Sequence, residues 1–244
     1  MERFEPKLIN LFWESDIKYT VRVNKLNLPK KITPKLAYFI GYLQGDGYLG
    51  SDKKKYAFSD EYLNHLKFIG QLNVELFGNK GSLRMLRSKI AKKDSPTIEF
   101  RSNVVNSYLH KVFGIIRGVK HKLNVPKLFY KNKEILKWYL VGLFDADGTL
   151  PKKPEEVKQP FIDITMKNKE FMEEIKDIMK NKFGIETLKL YPRKSLSPTT
   201  RNVCITWELR IRRYSQIRRF LNEIGFFHFH KAKRASKLIK ILPE

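Results

Sequence analysis

The chain has 244 residues, of which 42% are hydrophobic, so it can bury a substantial core and is not an intrinsically disordered protein. Its one cysteine, Cys204, excludes an internal disulfide framework and a cysteine-based zinc site. The 49 lysines and arginines against 25 aspartates and glutamates give a net charge of +24, which favours a polyanionic partner, most often nucleic acid, over a merely solvated basic surface.

No apolar run is long enough to cross a bilayer, and the first residues lack the pattern of a secretory signal. We therefore expect a protein that is not secreted and does not bind membranes, located in a prokaryotic cytoplasm or in an organelle. The chain begins with Met1 and ends with Pro243-Glu244, without the terminal residues expected of an intein, which favours a free-standing or intron-encoded protein.

Residues 1–30 have no counterpart later in the chain and are interpreted as an N-terminal extension, with short elements around Leu8–Trp13 and Tyr19–Val23. After them, Thr33 can cap a helix whose first position is Pro34, where the missing N–H is harmless. The predicted elements of the first half, residues 31–127, are this helix to about Gly45, a hairpin within Tyr48–Ser59, a helix over about Asp60–Phe77, strands Ser82–Leu86 and Thr97–Arg101, and a helix near Asn103–Phe113.

The second half, residues 128–244, repeats the order helix, hairpin, helix, hairpin, helix, which indicates an α+β fold. Asn132 can cap its first helix. The predicted elements are a helix over Lys133–Ala146, strand Phe161–Met166, a helix over Asn168–Phe183, strands Thr187–Tyr191 and Val203–Arg212, and helices over Tyr214–Ile224 and about Ala232–Leu242.

The predicted strands alternate between apolar and polar residues. In Val203–Arg212 the apolar face carries Val203 and Ile205, and the polar face is basic. A twisted antiparallel sheet with such a face fits the DNA major groove, so we favour a base-reading role over an ordinary solvated surface. The side chains predicted to contact DNA are Arg84, Arg101, Lys189, Thr206, Arg210 and Arg212.

One segment occurs twice, as Phe39–Gly47 (FIGYLQGDG) and Leu140–Gly148 (LVGLFDADG). The offset is 147 − 46 = 101 residues. Both copies place small residues four apart on an apolar helix: Gly41 and Gly45 in the first, Gly142 and Ala146 in the second. Small residues at this spacing allow two backbones to approach closely, so the two helices are predicted to pack against each other.

Both copies end on an acid, Asp46 and Asp147. The negative end of the helix dipole and mutual repulsion disfavour two such carboxylates side by side. Divalent cations would remove this cost, and Mg²⁺ prefers carboxylate, phosphate and water oxygens. Paired metals can drive phosphodiester hydrolysis. The alternative is that each Asp-Gly pair only forms a tight turn after its helix.

The second copy, with Asp145-Ala146-Asp147-Gly148, resembles the signature of the LAGLIDADG homing endonucleases, and the first is a looser copy with Gln44 for the earlier acid and Gly45 for alanine. The resemblance covers residues 31–244 and matches single-chain, two-repeat members. It implies two pseudo-symmetric αββαββα repeats with saddle-shaped DNA-binding sheets. It also implies Mg²⁺-dependent cleavage of both strands, for which Mn²⁺ can substitute. The metal ligands fall on Asp46 and Asp147, and the predicted metal site includes the preceding Gly45 and Ala146.

Family members also place a lysine near the scissile phosphates after the last helix of each repeat. The best matches are Lys120 and Lys231, with Lys233 as an alternative to Lys231; the competing interpretation is a phosphate-positioning or plain surface charge. The histidines have no metal-ligand spacing, and His228 and His230 are interpreted as DNA or surface contacts.

The resulting hypothesis is a monomeric, site-specific endonuclease that cuts both strands of a long asymmetric DNA site and leaves short 3′ overhangs. A second hypothesis is a non-cleaving nucleic-acid binder of the same fold, such as an RNA maturase that assists intron splicing. A third is a transcription regulator that reads DNA through the same sheets.

Overall fold

A computed structural model describes residues 26–87, 94–196 and 203–243, together with the backbone of Ile9–Asn10. The elements predicted around Leu8–Trp13 and Tyr19–Val23 otherwise lie outside the described residues. The described helices are α1 (Pro34–Gly45), α2 (Leu63–Phe77), α3 (Asn103–Phe113), α4 (Lys133–Asp147), α5 (Lys169–Phe183), α6 (Tyr214–Glu223) and α7 (Phe229–Ile241), with 3-10 turns at Lys127–Lys131 and Pro154–Glu156. None of these helices combines the length and the apolar character that crossing a bilayer requires.

The strands form two four-stranded antiparallel sheets and one two-residue pairing. The strands are β1 (Ile9–Asn10), β2 (Lys31–Ile32), β3 (Gly47–Leu49), β4 (Lys55–Ser59), β5 (Ser82–Arg87), β6 (Asp94–Arg101), β7 (Gly148–Thr149), β8 (Ile162–Met166), β9 (Tyr191–Leu196) and β10 (Val203–Ile211). The first sheet has the order β3-β4-β6-β5 and the second β7-β8-β10-β9. This repeated arrangement confirms the predicted α+β fold class; the boundaries after residues 30 and 127 stay predictions.

The predicted starts of both motif helices are correct. Thr33 Oγ1 accepts a hydrogen bond from the backbone N–H of Leu36 (3.2 Å), with Pro34 in the first turn. Asn132 Oδ1 accepts from the backbone N–H of Glu134 (2.8 Å) in the same way. Each cap satisfies a backbone donor that the helix itself leaves unpaired, and therefore marks where the helix begins.

Helices α1 and α4 form the centre of the molecule and make the most extensive contact between any two elements. The apolar face of the first sheet packs on this centre through aromatic side chains. Phe39 of α1 lies edge-on to Phe58 of β4 (ring centroids 5.0 Å apart) and to Phe77 of α2 (5.5 Å). Because aromatic edge-to-face contacts of this kind favour one geometry, they hold the first sheet at a defined position relative to α1.

One predicted strand is wrong. The strand expected over Thr187–Tyr191 lies instead at Tyr191–Leu196, and Lys189 precedes it. The strand was predicted to end before Pro192 because proline has no N–H to donate to the hydrogen bonds of a sheet. β9 is the edge strand of its sheet, however, and Pro192 is paired only with Trp207 of β10, which an edge position tolerates. In addition, α7 begins at Phe229, three residues before the predicted start at Ala232.

Candidate functional site

The two motif glycines lie where the backbones of α1 and α4 touch. A Cβ atom on Gly41 would lie 2.0 Å from the carbonyl oxygen of Tyr139, and one on Gly142 would lie 2.1 Å from that of Tyr38. The two contacts are equivalent, since 142 − 41 and 139 − 38 both equal 101. The predicted close packing of the motif helices is confirmed, and each glycine is required by a backbone oxygen of the opposite helix.

Hydrogen bonds across this seam repeat the same symmetry. The hydroxyl of Tyr38 donates to Asp145 Oδ2 (2.8 Å), and the hydroxyl of Tyr139 donates to Gln44 Oε1 (2.6 Å). Both acceptors are buried. Asp145 and Gln44 hold equivalent positions in the two motif copies, so a tyrosine of each half donates a hydrogen bond to the motif of the other half.

The same two side chains also fix the segments that follow each repeat. Asp145 accepts from the backbone N–H groups of Phe227 (3.1 Å) and His228 (2.7 Å), just before α7. Gln44 donates to the carbonyl of Asn124 (3.0 Å). An amide can replace the acid at this position because the role is hydrogen bonding, which explains why the first motif departs from the second. Burial raises the pKa of Asp145 to about 6.

Lys120 and Lys231 lie beneath the C-terminal ends of α1 and α4. Lys120 Nζ donates to the carbonyls of Leu43 (3.2 Å) and Gln44 (2.8 Å) and to that of Gly45. Lys231 Nζ donates to the carbonyls of Phe144 (3.2 Å), Asp145 (2.6 Å) and Ala146 (2.8 Å). Each ammonium donates to carbonyls of the last helical turn, where helix carbonyls lack intrahelical partners, although that of Phe144 also accepts from the backbone N–H of Gly148. Each ammonium also opposes the negative end of the helix dipole. Burial lowers the pKa of Lys120 to about 8 and also lowers the pKa of Lys231.

The alternative lysine does not take this place. Lys233 is exposed on α7, whereas Lys231 is half-buried at the seam. The carbonyls of Gly45 and Ala146, which the sequence assigned to the metal site, accept hydrogen bonds from the two ammonium groups. The carboxylates at the ends of the motifs are therefore the main oxygen donors left to a metal ion.

Asp46 and Asp147 meet at the end of the seam. A Cβ on Gly45 would lie 2.3 Å from the Cβ of Ala146 and 2.9 Å from Asp147 Oδ2, so the two motif ends are in contact. Burial, followed by repulsion from Asp46, raises the pKa of Asp147 to about 7, against the opposing effect of both lysines. The surrounding protein also raises the pKa of Asp46, although its side chain reaches solvent at the rim of the seam.

This donor set fits a divalent cation. Among the described residues, none donates a hydrogen bond to the carboxylate of Asp46 or Asp147. The two carboxylates repel each other and have no hydrogen-bond donor among the described residues. They border a notch that a Cβ atom at position 45 would fill. Such a pair forms the kind of hard-oxygen site that Mg²⁺ prefers. The lysines reduce the net negative charge there without occupying the carboxylates.

The raised pKa of Asp147 predicts how the metal-free protein responds to pH. In the unfolded chain an aspartate titrates near pH 4, so between about pH 4 and 7 folding retains a proton that the unfolded state releases. Stability should therefore fall as the pH rises through this window, by about 2 kcal/mol once solvent screening is included. Urea unfolding in chelator at both ends of the window tests this, and Asp147→Asn should reduce the difference by that amount, leaving the contributions of Asp145 and Asp46, whose pKa values are also raised. An unchanged pH dependence in that variant would contradict it.

Removing the Lys231 ammonium should destabilise the protein. Lys231→Met leaves three buried carbonyls without their charged donor, at a cost of about 2–4 kcal/mol in unfolding free energy. Lys233→Met is the matched control, because it removes the same charge from an exposed position of the same helix and should cost less than about 0.5 kcal/mol. Denaturant unfolding measures both, and equal effects would disprove the capping role of Lys231.

The polar face of the first sheet carries two of the predicted DNA contacts. Arg84 and Arg101 are exposed, and both approach Glu99 Oε1, at 3.9 Å and 3.1 Å. The register pairs Lys55 with Arg101, so this lysine shares the face although the sequence analysis did not select it. The missed signal was a basic side chain within the predicted hairpin, on the strand that pairs with Thr97–Arg101.

The other four predicted DNA contacts belong to the second half, and none of them is a free basic side chain on the face of the second sheet. Arg212 and Lys189 are exposed but lie outside the strands, and Thr206 Oγ1 donates weakly to the carbonyl of Arg193 (3.5 Å). Arg210 is neutralised by ion pairs with Asp163 (2.6 Å) and Glu208 (2.8 Å). Arg193 and Lys194 of β9 expose basic side chains that were missed because the strand was placed too early.

The interpretation of His228 as a DNA or surface contact is wrong. Its side chain is only 2% exposed, and it lies against Asp60 and His65 of the first half. His230 stacks on Tyr62 with ring centroids 3.7 Å apart. These contacts join the start of α7 and the residue before it to the start of α2 and the turn before it.

Residues 134–225 match a family model described as a LAGLIDADG-like domain. A replication factor C small subunit of Methanocaldococcus jannaschii is 26% identical over 250 residues, covering 97% of this chain and 12% of that protein. A replication factor C small subunit of Thermococcus kodakarensis is 25% identical over 205 residues, covering 84% of this chain and 21% of that protein. The chain thus spans between an eighth and about a fifth of the length of these relatives.

Solved structures share the fold at low identity. The N-terminal LAGLIDADG domain of DUF199/WhiA superposes with a TM-score of 0.53 at 17% identity, covering 79% of this chain and 81% of that chain. The endonuclease I-WcaI, bound to its DNA recognition sequence, gives 0.53 at 14% identity, with 82% and 85% covered. I-DmoI, in complex with DNA and Mn, gives 0.51 at 16% identity, with 79% and 96% covered. Residues 134–225 are therefore similar to a LAGLIDADG-like domain, and the chain, with its duplicated motif and paired glycine-bearing helices, shares the fold of these structures.

Proposed function

We propose that the protein is a site-specific DNA endonuclease that hydrolyses both strands of a long, asymmetric duplex with divalent metal ions held at Asp46 and Asp147. The observation that carries this proposal is the pair of crowded carboxylates, one from each half, at the seam between α1 and α4. Mg²⁺ is the expected ion, and Mn²⁺ is expected to substitute. The enzyme acts as a monomer whose two halves replace the subunits of a symmetric dimer.

The side chains around the seam have separate roles in this proposal. Asp46 and Asp147 bind the ions, which when bound supply an activated water and stabilise the departing oxygen. Lys120 and Lys231 hold the ends of α1 and α4 in position through the carbonyls that they cap, and they moderate the local negative charge as the phosphate approaches. Tyr38 keeps the two halves in register through its bond to Asp145.

The net charge of +24 supports a nucleic-acid substrate, because a globular protein otherwise bears the self-repulsion without compensation. In this proposal DNA lies along the polar sheet faces, where Arg84, Arg101 and Lys55 of the first half and Arg193 of the second are exposed. Arg210 orients the Asp163 and Glu208 carboxylates more than it reads bases. Similarity in fold to I-DmoI and I-WcaI, both solved with DNA, agrees with this substrate.

The names of the curated relatives do not add a function. A replication factor subunit and a glutamine–fructose-6-phosphate aminotransferase, both of Methanocaldococcus jannaschii, have unrelated names and match this one chain over 12% and 15% of their own lengths. Neither named activity is therefore transferred to this chain.

A non-cleaving nucleic-acid binder, such as an RNA maturase, is the second candidate. The fold does not separate the candidates, since the DUF199/WhiA domain and the endonuclease I-WcaI superpose equally well. One observation favours the binder: both candidate catalytic lysines donate to helix carbonyls. Under this alternative the two acids are kept for the geometry of the seam and not for a metal ion.

Selection from a random DNA duplex library separates the two candidates. The protein is incubated with the library in Mg²⁺, in Mn²⁺ or in chelator, and cut ends are sequenced. The endonuclease predicts one family of long asymmetric sites with 3′ overhangs, cut only with metal. Sequence-selective retention of duplexes without cut ends, or tight binding to folded intron RNA alone, would overturn the endonuclease in favour of the binder.

A further inference from the structure

Three potential metal ligands meet at a second place, outside the seam. Asp60 lies in the turn before α2, His65 lies in the first turn of α2, and His228 immediately precedes α7. One ligand atom from each lies within 4.8 Å of the others. The side chains of the two histidines are buried, and that of Asp60 is nearly so. The cluster joins the first half of the chain to the second.

The spacing within the cluster suits a tetrahedral metal. His228 Nε2 lies 3.3 Å from Asp60 Oδ2, and the ring centroids of His65 and His228 are 4.2 Å apart. Two ligands of a tetrahedral zinc, each about 2.0–2.1 Å from the metal, are separated by about 3.3 Å. A single ion can therefore take Asp60 and His228 with little movement of either side chain.

The hydrogen bonds of the protein alone leave the cluster incomplete. His228 Nδ1 is buried, and no described residue makes a hydrogen bond with it. An unpaired buried nitrogen is destabilising, so a purely hydrogen-bonded role leaves a penalty at this site. An ion bound at Nδ1 removes this penalty directly, whereas an ion bound at Nε2 makes Nδ1 an N–H donor whose partner would be a water.

The groups around the cluster already support the three ligands. Tyr42 donates its hydroxyl proton to Asp60 Oδ2 (2.5 Å), and the backbone N–H of Tyr62 donates to Asp60 Oδ1 (2.8 Å). Tyr38 has a single hydroxyl proton, which it donates to Asp145 (2.8 Å), so its contact with His65 Nε2 (3.2 Å) requires that nitrogen to be the donor. The Nδ1 lone pair of His65 is then the one available to a metal ion, and outer partners of this kind orient metal ligands.

We propose that Asp60, His65 and His228 bind one divalent transition metal ion, with Zn²⁺ the best match to two imidazoles and a carboxylate. This site is distinct from the hard-oxygen seam of Asp46 and Asp147, since imidazole ligands favour Zn²⁺ and Co²⁺ over Mg²⁺. The ion ties the segment that carries Lys231 to the start of α2 and leaves one coordination position open.

The test uses the full chain, stripped with chelator and titrated with Co²⁺ and then with Zn²⁺. One equivalent of Co²⁺ should give the visible absorption of a four-coordinate site, Zn²⁺ should abolish it, and excess Mg²⁺ should leave it unchanged. Melting with Zn²⁺ should occur at a higher temperature than with chelator. His228→Gln and Asp60→Asn should weaken binding by more than about 100-fold, since the loss of an outer partner alone costs 10–100-fold.

Two controls make the result specific. Asp147→Asn removes an acid of the seam and should leave the Co²⁺ spectrum unchanged, and His121→Gln alters an exposed histidine and should do the same. Circular dichroism confirms that each variant is folded. The proposal is overturned if the folded wild type binds no Co²⁺ at one equivalent, if His228→Gln and Asp60→Asn keep the spectrum, or if Asp147→Asn removes it. In the first case the three residues form only a buried hydrogen-bonded cluster.

Discussion

Replacing Asp147 by asparagine should lower the rate of DNA cleavage by at least ~1000-fold and at the same time stabilise the metal-free protein. Both effects have one cause. The protein holds this carboxylate beside Asp46 in a place where burial and repulsion raise its pKa to about 7, which costs free energy in the absence of a cation. Asparagine keeps the shape, removes the charge and is a poor ligand for Mg²⁺.

The measurement is single-turnover cleavage of the selected duplex in Mg²⁺, with binding measured in Ca²⁺ or chelator. Binding should stay within about threefold, because Asp147 adds negative charge and no phosphate contact. Asp46→Asn should behave in the same way. Asp177→Asn is the matched control: it makes the same chemical change on the exposed face of α5 and should alter neither cleavage nor stability.

If Asp147→Asn does not cleave, its melting temperature shows whether a metal ligand or the fold has been lost. A melting temperature of Asp147→Asn that is equal to or above that of the wild type in chelator means that the lost activity comes from the lost metal ligand. A strongly lowered melting temperature means that Asp147 instead supports the fold, and cleavage at the wild-type rate means that the seam acids are not the metal ligands.

Local signals in the sequence predicted much of this molecule. The helix caps at Thr33 and Asn132 could be predicted because a cap involves atoms only a few residues apart. The glycine spacing could be predicted because the chain contains a second copy of it. The faces of the strands followed from alternation wherever a helix covers the sheet. Val203 and Ile205 did not follow it: they were expected on the helix-covered face but are 62% and 46% exposed, because they lie towards the end of β10 where it pairs with the exposed strand β9.

Other features required the tertiary structure. Asp60 and His228 are separated by 168 residues along the chain, and no spacing rule relates them. The roles of Lys120 and Lys231 as caps of α1 and α4 depend on where each chain segment returns to the seam, which the sequence does not encode locally. The exchange of Gln44 for an acid was explicable only once its bonds to Tyr139 and Asn124 were known.

Replacing Gly142 by alanine should destabilise the protein by about 3 kcal/mol, although alanine is the better helix former by about 1 kcal/mol. The new Cβ would lie 2.1 Å from the carbonyl oxygen of Tyr38, an atom of the opposite helix backbone. No side-chain rotation relieves this contact, so α1 and α4 must move apart. At about 2–4 °C per kcal/mol, the melting temperature should fall by roughly 6–12 °C.

The same separation should reduce cleavage, because the ends of α1 and α4 carry the two acids. Gly41→Ala should show the same two losses by symmetry, since its Cβ would lie 2.0 Å from the carbonyl oxygen of Tyr139. Gly70→Ala in α2 is the matched control: its Cβ would meet only the terminal Cδ1 of Ile98, at 2.7 Å, which can rotate away. Its helix propensity gain should leave stability unchanged or higher. If all three variants melted alike, close contact at the seam would not be what these glycines provide, and the spacing of the two acids would need another cause.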